Sequence, residues 1–284
     1  MNKLRLAIHL HLYYFDMWPE IKSLLSNIED YPYDLYVTMI KENGQIFQEV
    51  KEFKADARIW VVENRGYDIG PFVDFLHRID LSKYDLVMKL HTKNKFNGVD
   101  THINNHIFSR KLWFKTLTRA LIGSPKMFMK NIKEFQKYPE LGMVGSKHLI
   151  ASNSETSNAV LSQVDVILNE LGWCHEAIKF VAGTMFMCRS KILDPLKKHY
   201  TIMDFPPTNG KIKDGTLAHA IERVIGCLTT AQGYKIKGFD RSLPHSYRLN
   251  LQAMARFLYQ HKITKTKHEQ IKVFKLPIYH RKLL

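Results

Sequence analysis

Two neighbouring stretches decide the fold that this sequence predicts: ENRGYDIGPF at residues 63–72 and YDLVMKLHTKN at residues 84–94. The first follows the apolar run 58–62 and carries two glycines four residues apart. Its last residue but one is Pro71, and proline is favoured near the start of a helix. We therefore predict a strand, a polar loop and a helix in this part of the chain.

The second stretch is an apolar strand whose last residues are polar. It runs through Lys89 and ends in His91, Thr92 and Lys93, while the preceding loop supplies Arg65. Ligands of open α/β sheets bind in the crevice beyond the carboxyl ends of the strands. Hydrogen-bond donors and positive charge at that place predict an anionic ligand.

In the rest of the chain, strand-like and helix-like segments alternate in the same way. This order predicts a mainly parallel central sheet flanked by helices. Predicted strands cover residues 4–12, 34–40, 58–62, 141–145, 180–188 and 233–239, and predicted helices cover 16–28, 46–53, 105–122, 125–138 and 217–225. Residues 1–240 are therefore expected to form one α/β domain.

Charge and hydrophobicity restrict the partners. Among 284 residues, 42 Lys and Arg against 27 Asp and Glu give a net charge of +15, which attracts phosphates, nucleic acid or an anionic membrane. In 241–284 the only acid is Glu269, and aromatic and aliphatic residues are interleaved with the basic ones. We predict a basic helical C-terminal segment that binds a membrane surface or packs on the core.

Targeting and redox patterns point to a cytoplasmic protein. No apolar run approaches the roughly 20 residues that span a bilayer, and the N-terminus does not resemble a signal peptide. Cys174, Cys188 and Cys227 are widely spaced, which predicts reduced thiols rather than disulfides or a zinc cluster. P-loop, GxGxxG, GxSxG and HExxH patterns are absent from the sequence.

Several polar residues have two interpretations. His9 and His11 share a strand face and suit metal ligation, but polar residues at the mouth of a strand are commoner. Asp214, taken alone, is better explained as a helix N-cap than as a catalytic acid. Glu222 and Arg223, taken alone, suggest a solvent-facing pair.

Five motifs together resemble a known family. They are HLHLYYFD (9–16), ENRGYDIGPF (63–72), YDLVMKLHTKN (84–94), FVAGTMFMCR (180–189) and DGTLAHAIER (214–223). Their order is similar to that in the rhamnan synthesis protein F family of bacterial polysaccharide glycosyltransferases, and they cover residues 4–240. One departure is Met187, where family members commonly have an aromatic residue.

The resemblance implies a GT-A-like glycosyltransferase. The implied reaction moves a sugar, typically L-rhamnose from dTDP-rhamnose, with inversion onto a lipid-linked oligosaccharide of a cell-wall polysaccharide or lipopolysaccharide. It places the enzyme in the cytoplasm, peripheral to the anionic inner face of the plasma membrane. Nucleic acid is not an expected partner.

The resemblance also implies a set of site residues. GT-A enzymes hold a metal through a DxD motif, and this chain has cations at the corresponding strand end, so no metal site is predicted, although Mg²⁺ or Mn²⁺ stays open. With the resemblance in hand, Asp214 is the first choice of general base, Glu222 the second and Asp68 the third. The expected donor-binding residues are His11, Tyr13, Asn64, Arg65, Gly66, Asp68, Lys89, His91, Thr92, Lys93, Gly183 and Arg223.

Three other functions remain open on the residues alone. A basic nucleic-acid-binding protein with stacking aromatics (Tyr13, Tyr14, Trp60) lacks a recognisable binding motif. A metal-dependent hydrolase of a phosphorylated sugar would use His9, His11 and a distant acid. A catalytically silent subunit of a polysaccharide assembly would retain the fold and bind the acceptor only.

Overall fold

The structure is a computed structural model. It describes residues 3–93, 101–104, 106–153, 156–174, 177–208, 215–240, 251, 254–255, 257–263, 268–274 and 276–282.

A seven-stranded sheet forms the centre of the protein, in the order β11-β7-β10-β4-β1-β2-β3. Within it only β10 is antiparallel to its neighbours. The described strands are β1 (Leu6–His11), β2 (Tyr33–Met39), β3 (Arg58–Val61), β4 (Leu86–His91), β5 (Thr101–Ile103), β6 (His106–Phe108), β7 (Leu141–Ser146), β8 (Ile150–Ser152), β9 (Lys179–Val181), β10 (Phe186–Arg189), β11 (Lys235–Phe239), β12 (Tyr259–Ile263), β13 (His268–Val273) and β14 (Leu276–Lys282).

Helices cover both faces of this sheet. The described α-helices are α1 (Trp18–Leu25), α2 (Gly44–Phe53), α3 (Ile69–Arg78), α4 (Arg110–Ile122), α5 (Pro125–Lys137), α6 (Asn158–Glu170), α7 (Asp194–His199) and α8 (Leu217–Ala231). Helices α1, α4 and α5 pack together in one layer, and α3, α6, α7 and α8 pack together in the other. Strands β1, β4 and β7 are therefore buried along their whole length, as expected for parallel strands between helices. The predicted mainly parallel sheet flanked by helices is confirmed.

Some local predictions were wrong. Residues 180–188, predicted as one strand, form β9 and β10 in different sheets, because Gly183 (φ +87°) and Thr184 (φ +51°) turn the chain between them. The helix predicted from residue 105 begins at Arg110, where the Ser109 side chain caps it, and a short strand precedes it. The three cysteines are free, as predicted.

The C-terminal segment also differs from the prediction. Between residues 259 and 282 it forms the antiparallel sheet β12-β13-β14, so the helical prediction is wrong there. Pro277 would interrupt a helix, whereas it is tolerated in an outer strand such as β14. Residues 241–250 lie outside the described residues, and the proposed membrane or core contact of the segment stays a prediction. In the part of the chain that is described, no helix is long and apolar enough to cross a membrane.

Candidate active site

The carboxyl ends of β1 and β4 bring four polar side chains together. In the parallel register of these strands, His9 lies beside Lys89 and His11 lies beside His91. Residues two apart on a strand share a face, so all four side chains point to the same side of the sheet. Thr38 of β2 lies beside His11 on the other flank.

The two histidines of β1 are held by the fold itself. The Thr38 hydroxyl lies 2.9 Å from His9 Nε2 and 3.0 Å from His11 Nδ1, and the His9 ring stacks on Phe75 with 4.8 Å between centroids. Burial lowers the pKa of His9 well below its usual value and that of His11 to about 4, so both rings are neutral at pH 7. Among the described residues, no three His, Cys, Asp or Glu side chains are grouped to hold a metal ion. This arrangement favours the structural interpretation of His9 and His11.

Lys89 is completely buried beneath the site. Its ammonium donates to Asp68 Oδ2 and, at 3.2 Å each, to the carbonyl and the hydroxyl of Thr184. An ammonium has three N–H donors, and here three acceptors satisfy them. Burial lowers the pKa of Lys89 and the Asp68 carboxylate opposes that shift. The three N–H groups of Lys89 are therefore engaged in this structure and hold Asp68, and a direct contact of Lys89 with a donor stays a prediction.

Among the described residues, the side-chain contacts of Asp68 are made by one oxygen, Oδ2. Besides Lys89, Oδ2 accepts a 2.5 Å hydrogen bond from the Thr184 hydroxyl and lies 3.4 Å from His91 Nδ1. Burial alone would raise the pKa of the carboxyl, but His91, Lys89 and Lys93 outweigh it and hold that pKa well below its usual range. Asp68 is thus an anion at neutral pH.

A tight turn before α3 puts Asp68 in this position. Gly66 (φ +64°) and Tyr67 (φ +56°) are both left-handed, and a Cβ on Gly66 would lie 2.6 Å from the Phe205 ring. A Cβ on Gly70 would lie 2.1 Å from the Arg65 carbonyl oxygen. Glycine at both positions is therefore required by the turn.

His91 and Lys93 lie at the carboxyl end of β4, beside Asp68. His91 is 2% exposed, and neither of its ring nitrogens has a hydrogen-bond partner among the described residues. Burial lowers its pKa well below the usual value, which keeps the ring neutral. The Lys93 ammonium lies 5.8 Å from the centre of the Trp113 ring.

Thr92, between these two residues, joins β4 to the chain after β1. Its hydroxyl accepts hydrogen bonds from the backbone N–H groups of Tyr13 and Tyr14 at 3.0 and 2.9 Å. The Tyr13 side chain is 38% exposed beside the cluster. Thr92 thus joins the two strand ends, while the role of Tyr13 in donor binding stays a prediction.

The loop before Asp68 is fixed against residues 205–208. Thr208 N–H donates to the Asn64 carbonyl at 2.8 Å, and the Thr208 hydroxyl accepts from Tyr67 N–H at 3.2 Å. Arg65 pairs with Glu63 at 2.6 Å and donates to the Phe205 carbonyl at 2.9 Å. Arg65 and Asn64 therefore brace the segment that leads to residue 209.

Helix α8 contributes a half-buried acid, Glu222, and its buried partner, Arg223. Glu222 Oε1 accepts from Gly183 N–H, and Oε2 pairs with Arg223, each at 2.7 Å. Arg223 is 7% exposed and lies over the Phe180 ring at 4.8 Å. The solvent-facing interpretation of this pair was wrong, because packing on β9 buries it.

The N-cap of α8 is Thr216, in a capping box with His219, so the predicted capping role of Asp214 is also wrong. Asp214 itself lies outside the described residues, and its catalytic role stays a prediction.

A series of contacts links Lys93 at the end of β4 to Glu222 on α8. A Cβ on Gly183 would lie 2.8 Å from Trp113, the residue beneath Lys93, and Gly183 also bonds Glu222. Gly183 and Trp113 therefore connect Lys93 to the half-buried Glu222 of α8. Sequence reasoning missed Thr184 and Trp113. Thr184 had one signal, a hydroxyl residue beside a glycine inside an apolar run.

Most of the chain is similar to a known protein family. The family model described as Rhamnan synthesis protein F matches residues 1–234. The uncharacterized protein WxcX of Xanthomonas campestris pv. campestris (strain B100) is 26% identical over 240 residues, which are 84% of this chain and 33% of that protein. The chain therefore spans about a third of the length of the curated relatives it matches.

Similar solved structures include S. aureus TarS 1–349, at 10% identity and TM-score 0.45, covering 90% of this chain and 66% of that one. Another is the mannosyltransferase PcManGT from Pyrobaculum calidifontis in complex with GDP-Man and Mn²⁺, at 14% identity and TM-score 0.38. The match covers 90% of this chain and 64% of that one.

Proposed function

This chain belongs to the rhamnan synthesis protein F family, and from that premise we propose that it is a glycosyltransferase of bacterial polysaccharide synthesis. The proposed donor is a nucleotide sugar, dTDP-rhamnose in the first instance, and the proposed acceptor is a lipid-linked oligosaccharide. The transfer inverts the anomeric centre by direct displacement.

The observation that supports a donor site here is the unsatisfied His91. A buried imidazole without partners costs about 1–3 kcal/mol for each unpaired group, and a phosphate oxygen would supply the missing partner. His91 has Lys93 and the ionised Asp68 beside it. A diphosphate bound at this strand end would accept from the His91 ring and the Lys93 ammonium, while Asp68 Oδ1 would accept from a sugar hydroxyl.

The chemistry of this strand end does not suit a divalent metal. Mg²⁺ and Mn²⁺ prefer carboxylate and other oxygen ligands, whereas β4 ends in Lys89, His91 and Lys93. We propose that Lys93 and His91 stabilise the negative charge that develops on the leaving diphosphate, as fixed donors in a partly buried site do.

The proposed general base is a carboxylate, and the family resemblance makes Asp214 the first choice. Asp68 is less suitable, because its neighbours hold its pKa well below the usual range. Glu222 has both oxygens engaged, by Gly183 and Arg223. We propose Asp214 as the base. The acceptor oxygen attacks the anomeric carbon, its proton goes to Asp214, and the bond from that carbon to the diphosphate oxygen breaks.

Peripheral binding to an anionic membrane remains part of this proposal. It is supported by the +15 net charge and by the exposed Leu276, Ile278 and Tyr279 of the C-terminal sheet, because basic and apolar side chains together favour anionic lipid surfaces.

A thermal-shift panel tests the proposed function. Nucleotide sugars carrying dTDP, UDP or GDP are added with and without Mg²⁺ or Mn²⁺. A ligand at 100 times its Kd stabilises the native state by about 2.7 kcal/mol, so the true donor should raise Tm clearly. If no nucleotide sugar raises Tm at millimolar concentration, the proposal is wrong.

A further inference from the structure

Thr184 has a backbone conformation that its side chain disfavours. Its φ is +51°, in the left-handed region, where a β-branched residue is an outlier. The residue is 3% exposed and lies in the turn between β9 and β10. Such conformations persist where the surrounding structure requires them, and they cluster at functional sites.

The strained turn directs Thr184 at the buried ion pair. Its carbonyl and its hydroxyl both lie 3.2 Å from the Lys89 ammonium, and the hydroxyl donates to Asp68 Oδ2 at 2.5 Å. Thr184 therefore supplies two of the three acceptors of Lys89 and one of the donors that hold Asp68. An ordinary strand conformation would not place both groups on the same ammonium.

The same turn also contacts helix α8. Gly183, the preceding residue, donates its N–H to Glu222 at 2.7 Å. A displacement of the turn would therefore move the ion pair and the α8 acid together.

We propose that Thr184 is a positioning residue of the donor site: it anchors Lys89 and Asp68 Oδ2 from below, so that Asp68 Oδ1 and His91 face the ligand. The functional consequence rests on the proposed glycosyltransferase activity, whereas the anchoring of Lys89 does not. Thr184 itself does not touch the reacting atoms.

Two variants distinguish the contribution of the Thr184 hydroxyl from that of the strained backbone. Thr184→Val keeps the shape and the β-branch but removes the hydroxyl, and Thr184→Ser keeps the hydroxyl. We expect Thr184→Val to raise the KM for the donor about 10-fold with a smaller change in kcat, since an anchored binding group is lost. Thr184→Ser should stay within about threefold of the wild type. Equal KM values for the wild type and Thr184→Val would overturn the proposal.

A second readout needs no ligand. NMR of protein labelled with ¹⁵N-lysine reports the Lys89 ammonium, assigned by its loss in Lys89→Arg. Removing one acceptor should make this ammonium deprotonate at lower pH in Thr184→Val, and Thr184→Ser should restore the wild-type titration. An unchanged titration in Thr184→Val would refute the anchoring. If the wild-type protein binds no nucleotide sugar, the proposed function fails, and the NMR comparison still decides the role of Thr184.

Discussion

Replacing His91 by leucine should stabilise the protein and impair donor binding. Neither ring nitrogen of His91 has a hydrogen-bond partner among the described residues, although the side chain is 2% exposed. Leucine has a similar volume and no polar atoms, so the substitution removes a desolvation cost of about 1–3 kcal/mol. After some loss of packing we expect the free energy of unfolding to rise by about 1–2 kcal/mol. Urea denaturation of the unliganded protein measures this change.

Donor affinity should move in the opposite direction. A hydrogen bond to a charged group contributes about 1.5–3 kcal/mol, so His91→Leu should weaken nucleotide-sugar binding about 10- to 150-fold. Isothermal titration calorimetry measures the Kd.

His148 provides the matched control for this substitution, because it is 5% exposed and its Nε2 lies 2.8 Å from Asp240. His148→Leu should lower the unfolding free energy by about 1–3 kcal/mol and leave donor binding unchanged. A His91→Leu protein that is less stable than the wild type and binds the donor normally would refute the reasoning.

Further predictions concern the pH dependence of stability, the turn at Gly66, the charge of Lys93 and the proposed base Asp214. Burial lowers the pKa of His11 from 6.5 to about 4, so the unfolded chain binds a proton that the folded chain does not. His11 alone should therefore reduce stability by about 2 kcal/mol at pH 5 relative to pH 8, as urea unfolding at both pH values will show. Gly66→Ala places a Cβ at a left-handed φ and against the Phe205 ring. It should lower the free energy of unfolding by about 2–4 kcal/mol in the same assay. Lys93→Ala should weaken donor binding at least about 10-fold in calorimetry, with less loss at high salt. Asp214→Asn should bind the donor normally but lose at least about 100-fold in kcat, and normal turnover would rule out Asp214 as the base.

Strand periodicity predicted the central part of this site. Because side chains alternate along a strand, the sequence already placed His9 and His11 on one face and grouped Lys89, His91 and Lys93 at a strand end. The structure has these strands side by side. The tight turn before α3 was also visible in the sequence, as two glycines and a proline.

Other features depended on tertiary contacts that periodicity does not describe. The left-handed Thr184 follows from the change of sheet between β9 and β10, and Arg223 is buried because α8 packs on Phe180. Lys89 was predicted to meet a ligand, and its complete burial arises from the combined cover of α3 and the 182–185 turn. A single sequence gives charge and spacing, whereas burial and hydrogen-bond satisfaction decide which charge reaches the ligand.

The cluster divides its charges between support and binding. Lys89 and Thr184 satisfy one another and Asp68 Oδ2, so the Lys89 ammonium and the Thr184 hydroxyl have no hydrogen left to donate to a ligand. His91 is the opposite case, because the fold buries it beside Asp68 and neither ring nitrogen has a hydrogen bond to the described part of the chain. A protein retains an unsatisfied buried group when a ligand completes it or when its removal has little effect on the fold. These two explanations predict different donor affinities for His91→Leu, and for that reason this substitution is the most direct test of where the nucleotide sugar binds.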